Sequence, residues 1–411
     1  MTQRDVIGII YSFSECGQEM GKDKVLLANM LTHLGRDNVG NGRPVNLPLV
    51  QGSTMLFDTL EDFEASRNGR YEPDTLYYGR YGNPASFQLE NMIARLEAAD
   101  HCISVSSGLT AATIALMGAT RAGDHVLVAD NVYAPTRLFC DSVLARFGVE
   151  VSYYDPLIGE DLSSLMRPNT TAVMFEAPGT GTFEVPDIPA IASAARSQGA
   201  ISILDGTWAT PVFCQPIQLG VDVVVHSGSK YIGGHADTMI GFIVCNSEHY
   251  QAMRKMVLAF GDRAGAQDIF LSLRGLRTLE MRMHHHQSTA LEIARWLSEQ
   301  QQVLKLLHPA FPDCPGHEFW KRDFSGASGV FSVLFKPCTK DQIGRFIDSL
   351  RMFGLGVSWG GFESLALPVD PSAARTACPW TEKGQLVRFS IGNENTADLI
   401  EDIKQALPHL G

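Results

Sequence analysis

The chain has no CxxC pair, although eight cysteines are spread over its 411 residues. Positions 16, 102, 140, 214, 245, 314, 338 and 378 are too scattered for a zinc ribbon, and Cys245 ends an apolar run, MIGFIVC. Buried reduced thiols are the expectation, and with them a cytoplasmic protein rather than a disulfide scaffold. No apolar run approaches the roughly 18 residues that a membrane span requires. The first twenty residues, MTQRDVIGIIYSFSECGQEM, lack the basic patch and apolar stretch of a secretory signal. Positive charge is in short supply: 33 Lys and Arg against 45 Asp and Glu leave a net charge of −12. A field of that sign repels phosphate backbones and anionic lipid, so neither nucleic acid nor membrane is an expected partner. Repeats and low-complexity linkers are missing as well.

What is present is a globular composition, with 45% hydrophobic and 19% charged residues, which excludes a largely disordered or fibrous chain. The length exceeds one ordinary core and predicts two or three domains. Residues 1–74 are irregular apart from helix-like KDKVLLANMLTHLG (22–35), and read as an arm or lid. A large domain is expected over 75–270 and a smaller α+β domain over 271–411. In the former, apolar runs recur at HCISVSS (101–107), HVLVAD (125–130), VEVSYYD (149–155), TAVMFEAP (171–178), AISILDG (200–206), VDVVVHS (221–227) and MIGFIVC (239–245). Helix-like stretches such as LTAATIALMGAT, TRLFCDSVLARFG and AIASAARSQ lie between most of them. Short β-rich runs separated by helices predict an α/β fold: a mainly parallel seven-stranded sheet covered on both faces. Beyond it the sequence predicts one long amphipathic helix over 268–302. Strands at 328–336, near 355–359 and at 386–392 should follow, with helices at 340–352 and 396–407.

Ligands of such sheets collect at the carboxyl ends of the strands. After the first run comes SSGLTAA (106–112), whose Gly108 and Leu109 open a helix and offer free backbone N–H groups. That is a phosphate seat, although small residues at such a turn more often serve packing. After the second run comes Asp130 and then Tyr133, an aromatic plate or a half-buried surface ring. Asp205 follows ISIL, either as a helix N-cap or as a buried carboxylate that needs a cationic partner. Lys230 follows Ser227 and Ser229 at the end of a wholly apolar strand, where desolvation lowers its pKa and frees the amine. The four sites together meet the needs of pyridoxal 5'-phosphate: a Schiff-base lysine, an acid for the pyridinium nitrogen, a stacking ring and a phosphate cup. A nicotinamide site is set aside, because no GxGxxG follows the first strand.

These residues resemble the Cys/Met-metabolism family of pyridoxal-phosphate enzymes, which has the fold-type-I architecture of aspartate aminotransferase. Within it the chain is most similar to the bacterial cystathionine β-lyases. The likeness runs from about residue 50 to the C-terminus and includes YYGRYGNP (77–84), EAPGT (176–180), LDGTW (204–208), HSGSKYIGGH (226–235), GHEFWKRDFSGASG (316–329), SWGGFES (358–364) and VRFSIG (387–392). The resemblance implies that Lys230 carries the cofactor, Asp205 pairs with its ring nitrogen, and Tyr133 stacks and assists proton transfer. It further implies that Gly108, Leu109, Ser227 and Ser229 hold the phosphate, and that Tyr78 and Arg80 reach the phosphate of a neighbouring subunit in a homotetramer. Arg388, Ser358 and the backbone of Trp359 would grip the α-carboxylate of an amino-acid substrate. The implied reaction is α,β-elimination at a cystathionine-like or other S-substituted cysteine, giving a thiol, pyruvate and ammonia.

Three features depart from the β-lyase pattern. Gly206 stands where relatives carry Asn, Leu138 where they carry an acid near the distal substrate amine, and RYGNP (80–84) is similar to γ-type members. A γ-lyase or γ-synthase is therefore the alternative, and a non-catalytic descendant a remote one. No metal site is expected: three consecutive helical residues point about 100° apart, so HHH (284–286) reads as a solvated helix face.

Overall fold

The computed structural model describes residues 27–35 and 44–411, so the first twenty residues and most of the turn-rich NVGNGRPVN segment lie outside the described part. Each of the seven expected strands forms: β1 (His101–Val105), β2 (His125–Ala129), β3 (Glu150–Tyr154), β4 (Thr170–Glu176), β5 (Ile201–Asp205), β6 (Val223–Ser227) and β7 (Gly241–Cys245). They make one sheet in the order β1-β7-β6-β5-β4-β2-β3. Strands β2 to β6 run parallel, while β7 is antiparallel to both β6 and β1. Strand β2 is buried from end to end, as expected for a strand covered on both faces. Helices α1 (Leu27–His33) and α2 (Leu60–Asn68) precede the sheet region. The sheet is flanked by α3 (Pro84–Leu96), α4 (Gly108–Ala119), α5 (Ala134–Phe139), α6 (Ile188–Ser197), α7 (Thr210–Phe213) and α8 (Ser247–Phe260). This is the fold-type-I α/β architecture.

The single long helix expected over 268–302 is two helices, α9 (Ala266–Leu276) and α10 (Leu279–Ser298). They meet at Arg277 and Thr278, whose N–H groups turn back three residues to the Arg274 and Gly275 carbonyls, each at 3.2 Å. A Cβ on Gly275 would come within 2.3 Å of the Ile232 carbonyl oxygen, so the helix backbone rests directly on the turn that follows Lys230. Arg282, from α10, donates to the carbonyls of Gly275 and Tyr231 at 2.9 and 2.7 Å. It thereby ties the end of α9 to the turn that follows Lys230. The histidine triplet is split: His284 and His285 are exposed as expected, while His286 is not. His286 is wholly buried, with its ring 5.5 Å from that of Tyr231.

A second sheet, β10-β11-β9-β8, is antiparallel throughout and comprises β8 (Val303–Leu307), β9 (Val330–Phe335), β10 (Leu365–Val369) and β11 (Gln385–Ser390). It packs with α10, α12 (Lys340–Ser349) and α13 (Thr396–Ala406), and α11 (His317–Asp323) lies between β8 and β9. The strand expected near 355–359 is absent; Gly354 makes an isolated bridge to Leu365 instead. Asp402 accepts the amides of Arg351 and Met352, and Ser358 has φ +100°; both keep this segment out of a ladder. Strands β8 and β10 carry little sequence signal because they are edge strands. Pro368 in β10 looks like a strand breaker, yet an edge tolerates a residue that cannot donate.

Candidate active site

The carboxyl ends of β4, β5 and β6 meet the loop that precedes β10, and the chemistry-bearing residues gather there. Strand β6 delivers Lys230 through a tight turn, in which Lys230 N–H donates to the Ser227 carbonyl at 3.1 Å and Gly233 N–H to that of Gly228 at 2.8 Å. Residue 228 has to be glycine, since a Cβ there would lie 2.4 Å from the ring of Phe242. The Lys230 ammonium sits 5.7 Å from the centre of the Trp359 ring. Burial lowers its pKa, as does the nearby charge of Arg388, with Asp205 opposing both.

Asp205 closes β5. Its Oδ1 accepts from the backbone N–H of Thr207 at 3.0 Å and from the Thr207 hydroxyl, and that hydroxyl in turn accepts the N–H of Ser227 at 2.8 Å. Thr207 thus ties the acid of β5 to the end of β6. Burial pushes the Asp205 carboxyl up, and the Thr207 bonds with the His226 and Lys230 charges recover only part. Glu176 lies in register with Asp205 on β4. Burial and then the charge of Asp205 drive it well above the carboxylate range. Its Oε2 accepts the N–H of Tyr133 at 2.7 Å, which fixes the residue at the head of α5. The Tyr133 ring is 43% exposed and opens into the pocket. Its phenol is pushed up by burial and by both acids, against the pull of Arg388.

Arg388 comes from the other sheet. Its Nη2 donates to the Ser358 carbonyl at 2.8 Å, while Nε is buried without a partner. Burial lowers its pKa. A desolvated guanidinium beside a desolvated ammonium is an arrangement that calls for anions. Gly108 packs so closely that a Cβ would fall 2.5 Å from that of Ser227, leaving the first two amides of α4 in front of the Ser227 end of β6. Such a helix start suits a phosphate. The residues present therefore fit pyridoxal phosphate: a lysine of lowered pKa, an acid held in the sheet, a ring to stack on and an anion seat.

Within this chain, three further expected residues have the following surroundings. The Ser229 hydroxyl donates to the Ile240 carbonyl and accepts the Ile240 N–H, so it is shared with that turn. Arg80 donates to the Leu258 carbonyl at 2.7 Å, at the end of α8, and Tyr78 is 41% exposed. Glu176 and Thr207 are not singled out by the sequence reading. Their signal is position alone: each stands at the end of a strand, inside EAPGT and LDGTW. The buried pair Glu97–His226, 2.6 Å apart, was missed because its partners are distant in sequence. Gly206 belongs to the same layer: a Cβ there would meet the His226 ring at 3.1 Å.

Comparison with known proteins agrees with this geometry. The family model for "Cys/Met metabolism PLP-dependent enzyme" matches residues 28–408. Cystathionine beta-lyase of Haemophilus influenzae is 38% identical over 384 residues, covering 92% of this chain and 97% of that protein. Cystathionine beta-lyase MetC of Escherichia coli is 37% identical, with 92% and 97% covered. An L-alanine/L-glutamate racemase of Wolbachia pipientis is 36% identical, with 89% and 93% covered. Among solved structures, metB from Corynebacterium glutamicum superposes with a TM-score of 0.85 at 29% identity, covering 94% of this chain and 98% of that one.

Proposed function

The chain belongs to the Cys/Met-metabolism family of pyridoxal-phosphate enzymes, and we propose that it is a carbon–sulfur lyase that performs α,β-elimination on an S-substituted cysteine, cystathionine or a smaller relative. The overall change consumes water and releases a thiol, pyruvate and ammonia. The observation that carries this reading is the meeting of Lys230 and Arg388, from different sheets, as two desolvated cations in one pocket.

Lys230 would hold the cofactor, with the amides of Gly108 and Leu109 and the hydroxyls of Ser227 and Ser229 at its phosphate. Asp205 would face the ring nitrogen, where a carboxylate keeps a proton in place. When bound, the cofactor supplies an electron sink for the pair left at Cα. Arg388, braced by the Ser358 carbonyl, receives the substrate α-carboxylate as a planar fork, and the Trp359 backbone completes that seat. Once free, the Lys230 amine accepts the Cα proton, a role that suits an amine whose pKa burial has lowered. Tyr133 would lie against the ring, its phenol serving as a proton source for the departing sulfur.

Tyr78 and Arg80 would complete the site of a neighbouring copy, in a homotetramer built from site-sharing dimers. Support comes from the N-terminal segment, where Val45, Leu49, Leu56 and Leu60 expose apolar side chains. The free cysteines among the described residues favour a cytoplasmic setting. An arm (1–74), a cofactor domain (75–270) and a small domain (271–411) belong to the same proposal.

γ-Elimination uses the same groups plus a second proton, taken from Cβ, and exposed Leu138 (65%) is what favours it. Product analysis decides: pyruvate from a thioether substrate supports the β reading and 2-oxobutyrate overturns it. The same assay should follow D-amino acid formation, because proton return to Cα would give racemisation. Loss of both the visible cofactor band and turnover in Lys230→Ala is expected; full turnover would point to a different site or a non-catalytic pocket.

A further inference from the structure

A second buried polar cluster lies at the carboxyl end of β2, and the proposed chemistry leaves it unused. The Asp130 side chain has no exposed surface. It accepts from Arg137 Nη1 at 2.7 Å and from three successive backbone amides, those of Thr376, Ala377 and Cys378, at 2.8, 2.9 and 2.9 Å. Those amides belong to the connection between β10 and β11, some 246 residues further along the chain. Arg137 joins both sides: Nη2 donates to the Thr376 hydroxyl at 2.7 Å, and the guanidinium lies 3.5 Å over the Tyr153 ring. A second attachment stands beside the first. Arg375 pairs with Glu184 at 3.0 Å and donates to the Thr182 hydroxyl. Its other arm reaches the Cys378 sulfur at 3.3 Å.

The attached elements are those that carry the site. Asp130 is three residues before Tyr133, and Arg137 lies within α5, which Tyr133 heads. The clasped connection leads directly into β11 and Arg388. We infer that Asp130, Arg137 and Arg375 are positioning residues, forming a clasp that fixes the carboxylate-binding Arg388 of the second sheet against Tyr133 and Lys230 of the first. Two buried ion pairs and a three-amide seat are more than a surface loop needs, and their partners span the two sheets that the pocket separates. The inference rests on the reading of Arg388 given above, so one of its tests is independent of turnover.

Cys378 supplies that test. It is half-buried inside the clasp, and burial raises its thiol to about 11, so the closed state reacts slowly with thiol reagents. In the holoenzyme, alkylation at Cys378 is followed by peptide mass mapping, alongside steady-state kinetics. Asp130→Asn should speed Cys378 labelling about tenfold and raise KM about tenfold while kcat changes less than about threefold. Arg375→Gln, which loosens the outer attachment and leaves Asp130 seated, removes a charge that lowers the Cys378 thiol, so labelling rates are compared at equal thiolate fraction; on that basis both readouts should shift in the same direction by less. A merely structural role would lower active enzyme without moving KM. Unchanged labelling and KM in soluble Arg375→Gln would overturn the clasp, whether or not Asp130→Asn folds. Faster labelling with unchanged KM would leave the clasp standing and count against Arg388 as the carboxylate ligand.

Discussion

Asp205 and Asp130 end neighbouring regions of one sheet, both are withdrawn from water, and they are held in opposite ways. Asp130 is saturated: burial alone would raise its pKa, but the amides of Cys378 and Thr376 and the Arg137 charge outweigh burial and hold it below the usual range. Asp205 receives its hydrogen bonds from Thr207, and burial wins. A carboxylate with three amides and a guanidinium has nothing left to offer a ligand. One left short of donors next to a depressed lysine keeps its charge for something that arrives later. The same contrast separates the arginines, since Arg137 is fully engaged while Arg388 keeps a buried nitrogen without a partner.

The contrast can be broken first at the pocket. Lys230→Ala should cost turnover about 10⁴-fold or more, with the fold intact by circular dichroism. Asp205→Asn should cost turnover roughly 10³-fold and yet leave the urea midpoint of the cofactor-free protein unchanged or higher, because a neutral amide relieves an under-satisfied buried acid. Asp130→Asn should do the reverse in stability, costing about 3–5 kcal/mol by leaving Arg137 buried without its counter-charge. If both variants destabilise equally, the distinction between a saturated and a poised carboxylate fails.

Acid sharpens the comparison. His286 and His308 are buried, and burial pulls them down to about 4 and about 3. Their folded pKa values lie below the unfolded value, so the stability they allow is complete above roughly pH 6.5 and drains away as pH falls toward those values. Between pH 7 and pH 5 the expected loss is about 2 kcal/mol for each histidine. The Glu176–Asp205 pair opposes this, because an acid raised on folding takes up protons more readily in the native state. Asp130, held below the usual range, contributes in full above its unfolded pKa of about 3.9, so between pH 7 and pH 5 its share barely changes, and it is lost progressively as pH falls below about 4 toward the folded value. Urea titrations of wild type at pH 7 and pH 5 should show the fall, and Asp130→Asn should show the same fall from a lower start.

Much of this was legible in the sequence, and for identifiable reasons. The inner strands β2 and β4 to β7 appear as nearly unbroken apolar runs, and the edge strands β1 and β3 keep enough apolar and aromatic residues beside His101, Glu150 and Ser152, so all seven could be read without a structure; the reversed direction of β7 could not, because a hydrophobic run carries no polarity. The rule that ligands collect at strand ends pointed to Lys230, Asp205, Tyr133 and Gly108, which the structure brings around one pocket or its rim. Arg388 was found only through resemblance, since an arginine in an apolar strand does not announce what it faces. Edge strands β8 and β10 were hidden by a lysine and a proline, and the break between α9 and α10 by an otherwise continuous helical pattern. The clasp was invisible in principle: Asp130 acquires its partners from backbone amides, which leave no trace in residue type.

The smallest effect is expected at Leu138, next to clasp residue Arg137 on α5. Its side chain is 65% exposed, so a charge placed there stays largely solvated and is worth at most about 1 kcal/mol to a passing ammonium. Leu138→Asp should therefore raise kcat/KM for a substrate with a distal amino group by only about threefold to fivefold relative to an S-alkyl cysteine. The change should sit in KM, because the distal group is remote from the bond that breaks. A gain confined to the aminated substrate would assign Leu138 to the distal wall, and an equal change for both substrates would place it outside the path of the side chain.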